Sequence, residues 1–134
     1  MNKKLREEVR LKYSGLCAYT GKPLDEKWQV DHILPVSHGE WIRKLKNGEE
    51  SYPHSIENLL PALRIINHYK RCRDLEAWRK FLLTLHERLK KLPRNTYVPK
   101  SIRHKEYLLE VADAFGITTD NPFTGKFYFE TITK

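Results

Sequence analysis

Two cysteines, Cys17 and Cys72, and a single methionine occur among the 134 residues. So little cysteine agrees with a reducing compartment, and no disulfide between the two is expected. No apolar run approaches the roughly 20 residues that a membrane-crossing helix needs. The opening stretch, MNKKLREEVRLKY, is charged throughout and lacks the apolar segment of a signal peptide. The expected location is therefore the cytoplasm. Acidic residues are also short, with 17 Asp and Glu against 25 Lys and Arg, for a net charge of +8. That excess favours an anionic partner, most simply nucleic acid, although many small soluble domains are basic without one. There is no internal repeat and no low-complexity segment.

The length predicts one domain, residues 1–134, with a core over about 15–92 and an extension over 93–134. Residues 3–13 read as a helix, with Leu5, Val9 and Leu11 among charges and Gly15 suited to its end. LCAYTGKPL, with Gly21 and Pro23, is rich in turn residues. Residues 28–34 form the best strand candidate, closed by Pro35. A polar loop is expected over 37–55 and a second strand over 58–63. A long helix is predicted from about 67 to 92. At about 100° per residue, Leu75, Trp78, Phe81, Leu82, Leu85, Leu89 and Leu92 share one face, and Asn67, Lys70 and Arg71 project from the same side. Ser101 can cap a helix over 102–115 that stops at Gly116. KFYFETI, 126–132, alternates aromatic and polar residues and reads as a final strand.

Four polar residues stand out against this frame: Asp31 and His32 in QVDHILP, Asn58 in SIENLLP, and Asn67 in INHYK. Phosphodiester hydrolysis needs a deprotonated water aimed at phosphorus and stabilisation of the charge that builds there. An imidazole suits the first task because its pKa lies near working pH. A metal ion suits the second as a Lewis acid. An Asn side chain both donates and accepts, so it can pin a loop.

This order, together with CAYTG before the first strand, HYK after Asn67 and the following RDLEAWRKFL, resembles the HNH endonucleases over about residues 15–82. The resemblance implies an α+β protein with a β-β-α-metal core, flanking helices, a long helix after the hairpin, a C-terminal helix and a terminal strand. It implies metal-dependent cleavage of DNA, double-stranded by expectation. By resemblance Asp31 and Asn67 match metal ligands, His32 the general base, and Asn58 the middle catalytic-motif position, a support for loop and backbone. A carboxylate and an amide make an oxygen-rich site, which favours Mg²⁺ or Mn²⁺ over zinc. Many HNH proteins also carry two Cys-x-x-Cys pairs around a structural zinc. Here those positions hold Cys17 with Thr20, and Ala62 with Ile65, so no structural zinc is expected. An apolar cluster with Leu16, Leu63 and Ile66 is expected in its place.

Each residue also has a plainer reading. His32 alone could be a hydrogen-bonded core histidine, and Asn67 a helix cap. Lys70, Arg71 and Arg73 are the expected phosphate contacts because they lie beside Asn67. They could equally form a solvated face balanced by Asp74 and Glu76. Cys72 is expected as a packed thiol on the helix. The alternative function is a non-catalytic nucleic-acid-binding module with an HNH-like fold.

Overall fold

A computed structural model describes residues 2–33 and 56–132. The polar loop expected over 37–55, with His38, Trp41, Arg43, Lys44, Lys46 and His54, lies outside the described residues. The chain divides into two compact units, Met1–Glu76 with Phe127–Lys134, and Ala77–Lys126. The boundary expected near residue 92 falls inside the second.

The first unit is built on two short strands. β1 (Gln29–His32) pairs antiparallel with β2 (Leu59–Ala62), so that Gln29 faces Ala62 and His32 faces Leu59. A 3₁₀ turn, Ile56–Asn58, leads into β2. Pro61 cannot donate a ladder hydrogen bond, but its carbonyl accepts the Ala18 amide at 2.8 Å, which ties the CAYTG turn to β2. Gly21 in that turn has φ +76°, and a Cβ there would come within 2.8 Å of the Tyr128 ring. Glycine is thus required twice over, by backbone and by space.

α1 (Lys3–Leu11) starts at Asn2, whose side chain accepts the Leu5 amide at 2.7 Å. Its buried Val9 packs with Trp28 and Leu59, flanked by Leu5, Leu24, Val30 and Ile56. Arg6 lies over the Trp28 ring at 3.9 Å and donates to the Trp28 carbonyl at 2.7 Å. Lys12, at the end of α1, donates to the carbonyls of Ile56 and Leu59 and so fixes the entry to β2.

The predicted helix over 67–92 is three helices: α2 (Arg64–Lys70), α3 (Leu75–Leu83) and α4 (Leu85–Lys90). Trp78, Leu82, Leu85 and Leu89 of the expected apolar face are all buried, but the face does not lie on one rod. Arg71 ends α2 with φ +57°, a conformation that stops an α-helix. Cys72, expected as packed, is exposed beyond that end. At Thr84 the side-chain hydroxyl accepts nothing from the ladder and instead donates to the Phe81 carbonyl at 2.9 Å, a local bond that competes with helical continuation.

In the second unit α5 (Pro99–Phe115) begins three residues before the expected start and ends at Gly116 with φ +72°. Trp78, Phe115 and Phe123 meet edge to face at centroid distances of 6.0 and 5.7 Å.

The expected terminal strand is instead a short helix of the first unit, α6 (Tyr128–Thr131). Glu130 reaches back to accept the Phe127 amide at 2.9 Å, the N3-to-cap half of a capping box. The Tyr128 and Phe129 amides donate to the Tyr19 and Ala18 carbonyls. Aromatic alternation here reflects docking on the CAYTG turn and not a sheet.

Candidate functional site

Successive residues of a strand point to opposite faces. Gln29 and Asp31 therefore share one face of β1, and His32 takes the other. α2 packs on the first face with a matching repeat, because residues three apart on a helix share a side. Asn67 Nδ2 donates to Gln29 Oε1 at 2.7 Å, and Lys70 Nζ reaches both Asp31 carboxylate oxygens, at 3.3 and 3.2 Å. Lys70 Nζ also lies 3.2 Å from the His32 carbonyl. The strand and the helix are thus joined by two rungs, Gln29–Asn67 and Asp31–Lys70.

Asp31 is 5% exposed and Lys70 1%. The Tyr19 hydroxyl donates to Asp31 Oδ2, and the backbone N–H of His32 also reaches this carboxylate. Burial raises the Asp31 carboxyl above its ordinary value, an effect opposed by Lys70 and by the Tyr19 and His32 donors. Tyr19 is pushed well above the usual tyrosine range, first by burial and then by the Asp31 charge. Its ring is held edge-on by Phe127 and Phe129 at 5.1 and 6.2 Å. Nothing in the sequence marks Tyr19 as a site residue beyond its place in the CAYTG segment.

Lys70 is a correction. A phosphate-contacting surface lysine was expected; the residue is buried and its ammonium is committed to Asp31 and His32. A buried carboxylate demands a counter-charge, and Lys70 is one helical turn from Asn67 on the face turned to β1. Arg73 is half-buried, with Nη1 donating to the Tyr69 and Lys70 carbonyls at 3.1 Å, closing the end of α2. Of the three expected phosphate contacts, Arg71 is the exposed one. Asn58 is buried in the 3₁₀ turn, and its carbonyl accepts the Ile33 amide at 3.0 Å, which closes the strand pair beside His32. His32 is half-buried.

The Asp31 charge is already balanced by the Lys70 ammonium, which repels any further cation. A divalent ion fits here only in place of that ammonium. A carboxylate offers about four acceptor positions, and Tyr19, Lys70 and the His32 amide supply donors to them. Asn67 meets Gln29 and not Asp31, so the two expected ligands sit on neighbouring rungs. Among the described residues no group of three His, Cys, Asp or Glu side chains converges; a divalent ion here would rest on Asp31, amide and water oxygens.

Where many HNH proteins carry zinc cysteines, Cys17 is a buried free thiol, with buried Ala62 and Ile66 and half-buried Leu16 and Leu63 in the same unit. Among the described residues no helix is long and apolar enough to cross a membrane. No protein-family model, curated protein or solved structure matches the chain.

Proposed function

We propose that the first unit is an HNH-type endonuclease site that hydrolyses DNA phosphodiester bonds, with His32 as general base. The observation that carries this reading is the convergence of the motif segments on one antiparallel strand pair and one helix. Asp31 and His32 are adjacent on β1, Asn58 closes the pair, and Asn67 and Lys70 join α2 to β1. In the proposed step a neutral His32 nitrogen takes a proton from water. The water oxygen bonds to phosphorus in line as the bond to the 3′ oxygen breaks, and that oxygen leaves with a proton from solvent. The partner is DNA, expected to be double-stranded.

In this proposal Asp31 and Asn67 would hold Mg²⁺ or Mn²⁺, with the Lys70 ammonium displaced. When bound, the ion supplies Lewis-acid stabilisation of the phosphorus-centred charge. The chain's own contribution is to fix the imidazole. The Asn58 carbonyl accepts the Ile33 amide and so holds the peptide group that follows the His32 side chain.

One observation favours a second reading, a non-catalytic nucleic-acid-binding module with an HNH-like fold. Asp31 is fully provided with protein donors, so the first unit is electrostatically complete without an ion. Incubation of supercoiled plasmid with Mg²⁺, Mn²⁺ or EDTA, comparing wild type with His32→Ala, separates the two. Metal-dependent nicks that His32→Ala abolishes support the nuclease. DNA binding with no product under any condition supports the module.

A further inference from the structure

The burial of Lys70 leaves open where this basic chain meets a polyanion. Between Glu87 and Glu106 there is no acidic residue, but Lys90, Lys91, Arg94, Lys100, Arg103 and Lys105 all fall there. Outside that stretch, acidic and basic side chains almost cancel, so the net charge of +8 is concentrated in it. The stretch belongs to the second unit and runs from the end of α4 through the connection into α5. Lys90, Lys91, Arg94, Lys100 and Arg103 are exposed. Lys105 donates to the Pro93 and Arg94 carbonyls and so holds the connection against α5.

Two further features accompany the charge. Tyr97, at the middle of the connection, is 92% exposed. Residues of the same stretch line a cavity of about 530 Å³, with Leu89, Leu92, Pro93 and Leu109 as apolar lining and Lys90, Arg94 and Lys105 at its edge, together with Asp120. A large exposed aromatic ring within a cationic stretch, and an apolar hollow edged by cations, are what an unstacked base and its flanking phosphates require.

We infer that this strip is a single-stranded nucleic-acid binding surface, in which Arg94, Lys100 and their neighbours hold phosphates and Tyr97 stacks on an unpaired base. A duplex hides its base faces and would leave the Tyr97 ring unused. A flat anionic membrane suits the geometry less well. The cationic strip is bounded on α5 by exposed Glu106, Glu110 and Asp113; Leu108, Val111 and Ala112 are turned into the core, and Val98 and Leu109 are the exposed aliphatic side chains there. A linear polyanion can follow the strip without meeting those carboxylates.

The test is fluorescence anisotropy of the full chain in EDTA, with a labelled oligo-dT strand, a duplex of equal length, and phosphatidylserine vesicles as a third arm. Binding of oligo-dT should weaken with salt by about 0.7 log units per log unit of salt for each phosphate contact. Arg94→Gln with Lys100→Gln should flatten that slope by about 1.4, two contacts. Tyr97→Ala should weaken oligo-dT binding by roughly tenfold, the scale of one base–aromatic stack, leave the slope unchanged, and affect the duplex little. These positions are exposed, so the melting temperature should stay at the wild-type value. His32→Ala should bind oligo-dT as the wild type does, so the absence of cleavage would not disturb this result. Unchanged oligo-dT affinity and slope in these variants would overturn the proposal. So would equal losses on duplex and single strand in Tyr97→Ala, or losses confined to the vesicles.

Discussion

Lys70 and Asp31 form an ion pair at 3.2 Å with both side chains almost wholly buried. The pair fastens α2 to β1 and sets the electrostatics of the whole candidate site. Removing one member of a buried pair costs about 3–5 kcal/mol, because the other charge is left without compensation. Lys70→Met should therefore destabilise strongly. Lys70→Met combined with Asp31→Asn should recover most of the loss, since no charge is then left buried. Urea unfolding of the two variants measures the difference. A Lys70→Met protein within about 0.5 kcal/mol of wild type, the range of an ordinary surface change, would show the pair to be open to water.

Tyr19 offers a pH test of the same cluster. Its folded pKa lies above its ordinary value of 10.0. Stability from this raised value is fully present below pH 10 and is lost as pH rises through the folded value, because the unfolded tyrosine ionises first. Tyr19→Phe should cost about 1–3 kcal/mol at neutral pH by leaving Asp31 one donor short. It should also lose stability less steeply than wild type above pH 10. Parallel slopes for the two proteins across that range would mean that Tyr19 is not held neutral by burial and Asp31.

Asn67 and Gln29 separate ligand from scaffold. Each is one half of the same 2.7 Å hydrogen bond, so Asn67→Ala and Gln29→Ala remove the same contact and should destabilise similarly, by about 1 kcal/mol. Only Asn67 is proposed as a metal ligand. Mg²⁺ titrations of cleavage should therefore shift to higher concentration in Asn67→Ala and far less in Gln29→Ala. Equal shifts would make Asn67 a strut of α2 and nothing more.

The strand pair was legible because its signals are local: a β-branched run in QVDHIL and a short apolar run in ENLLPAL. α1 and α5 were legible from their periodicity and stops. The long helix was not. Its apolar face repeats correctly, but the breaks depend on Arg71 adopting positive φ and on Thr84 bonding to Phe81, and neither is written in the period. The terminal strand failed because Phe127, Tyr128 and Phe129 answer to the Tyr19 turn, a partner more than a hundred residues away in sequence. Glu130 three residues after Phe127 was the available signal of a helix start. At the site, the sequence named Asp31, His32, Asn58 and Asn67 but assigned Lys70 to the surface. Basic residues beside a proposed ligand read as phosphate contacts, and only the packing of α2 shows which one a buried carboxylate claims.

Supercoiled-plasmid cleavage is the most direct measurement of what the first unit does. Wild type with Mg²⁺ or Mn²⁺ should give nicked or linear DNA, EDTA should stop it, and His32→Ala should lose about 10²- to 10⁴-fold in rate, the usual contribution of a positioned base, while DNA affinity stays near wild type. Cleavage by His32→Ala at the wild-type rate under saturating Mg²⁺, or no cleavage by folded wild-type protein in either metal, would contradict the proposed chemistry.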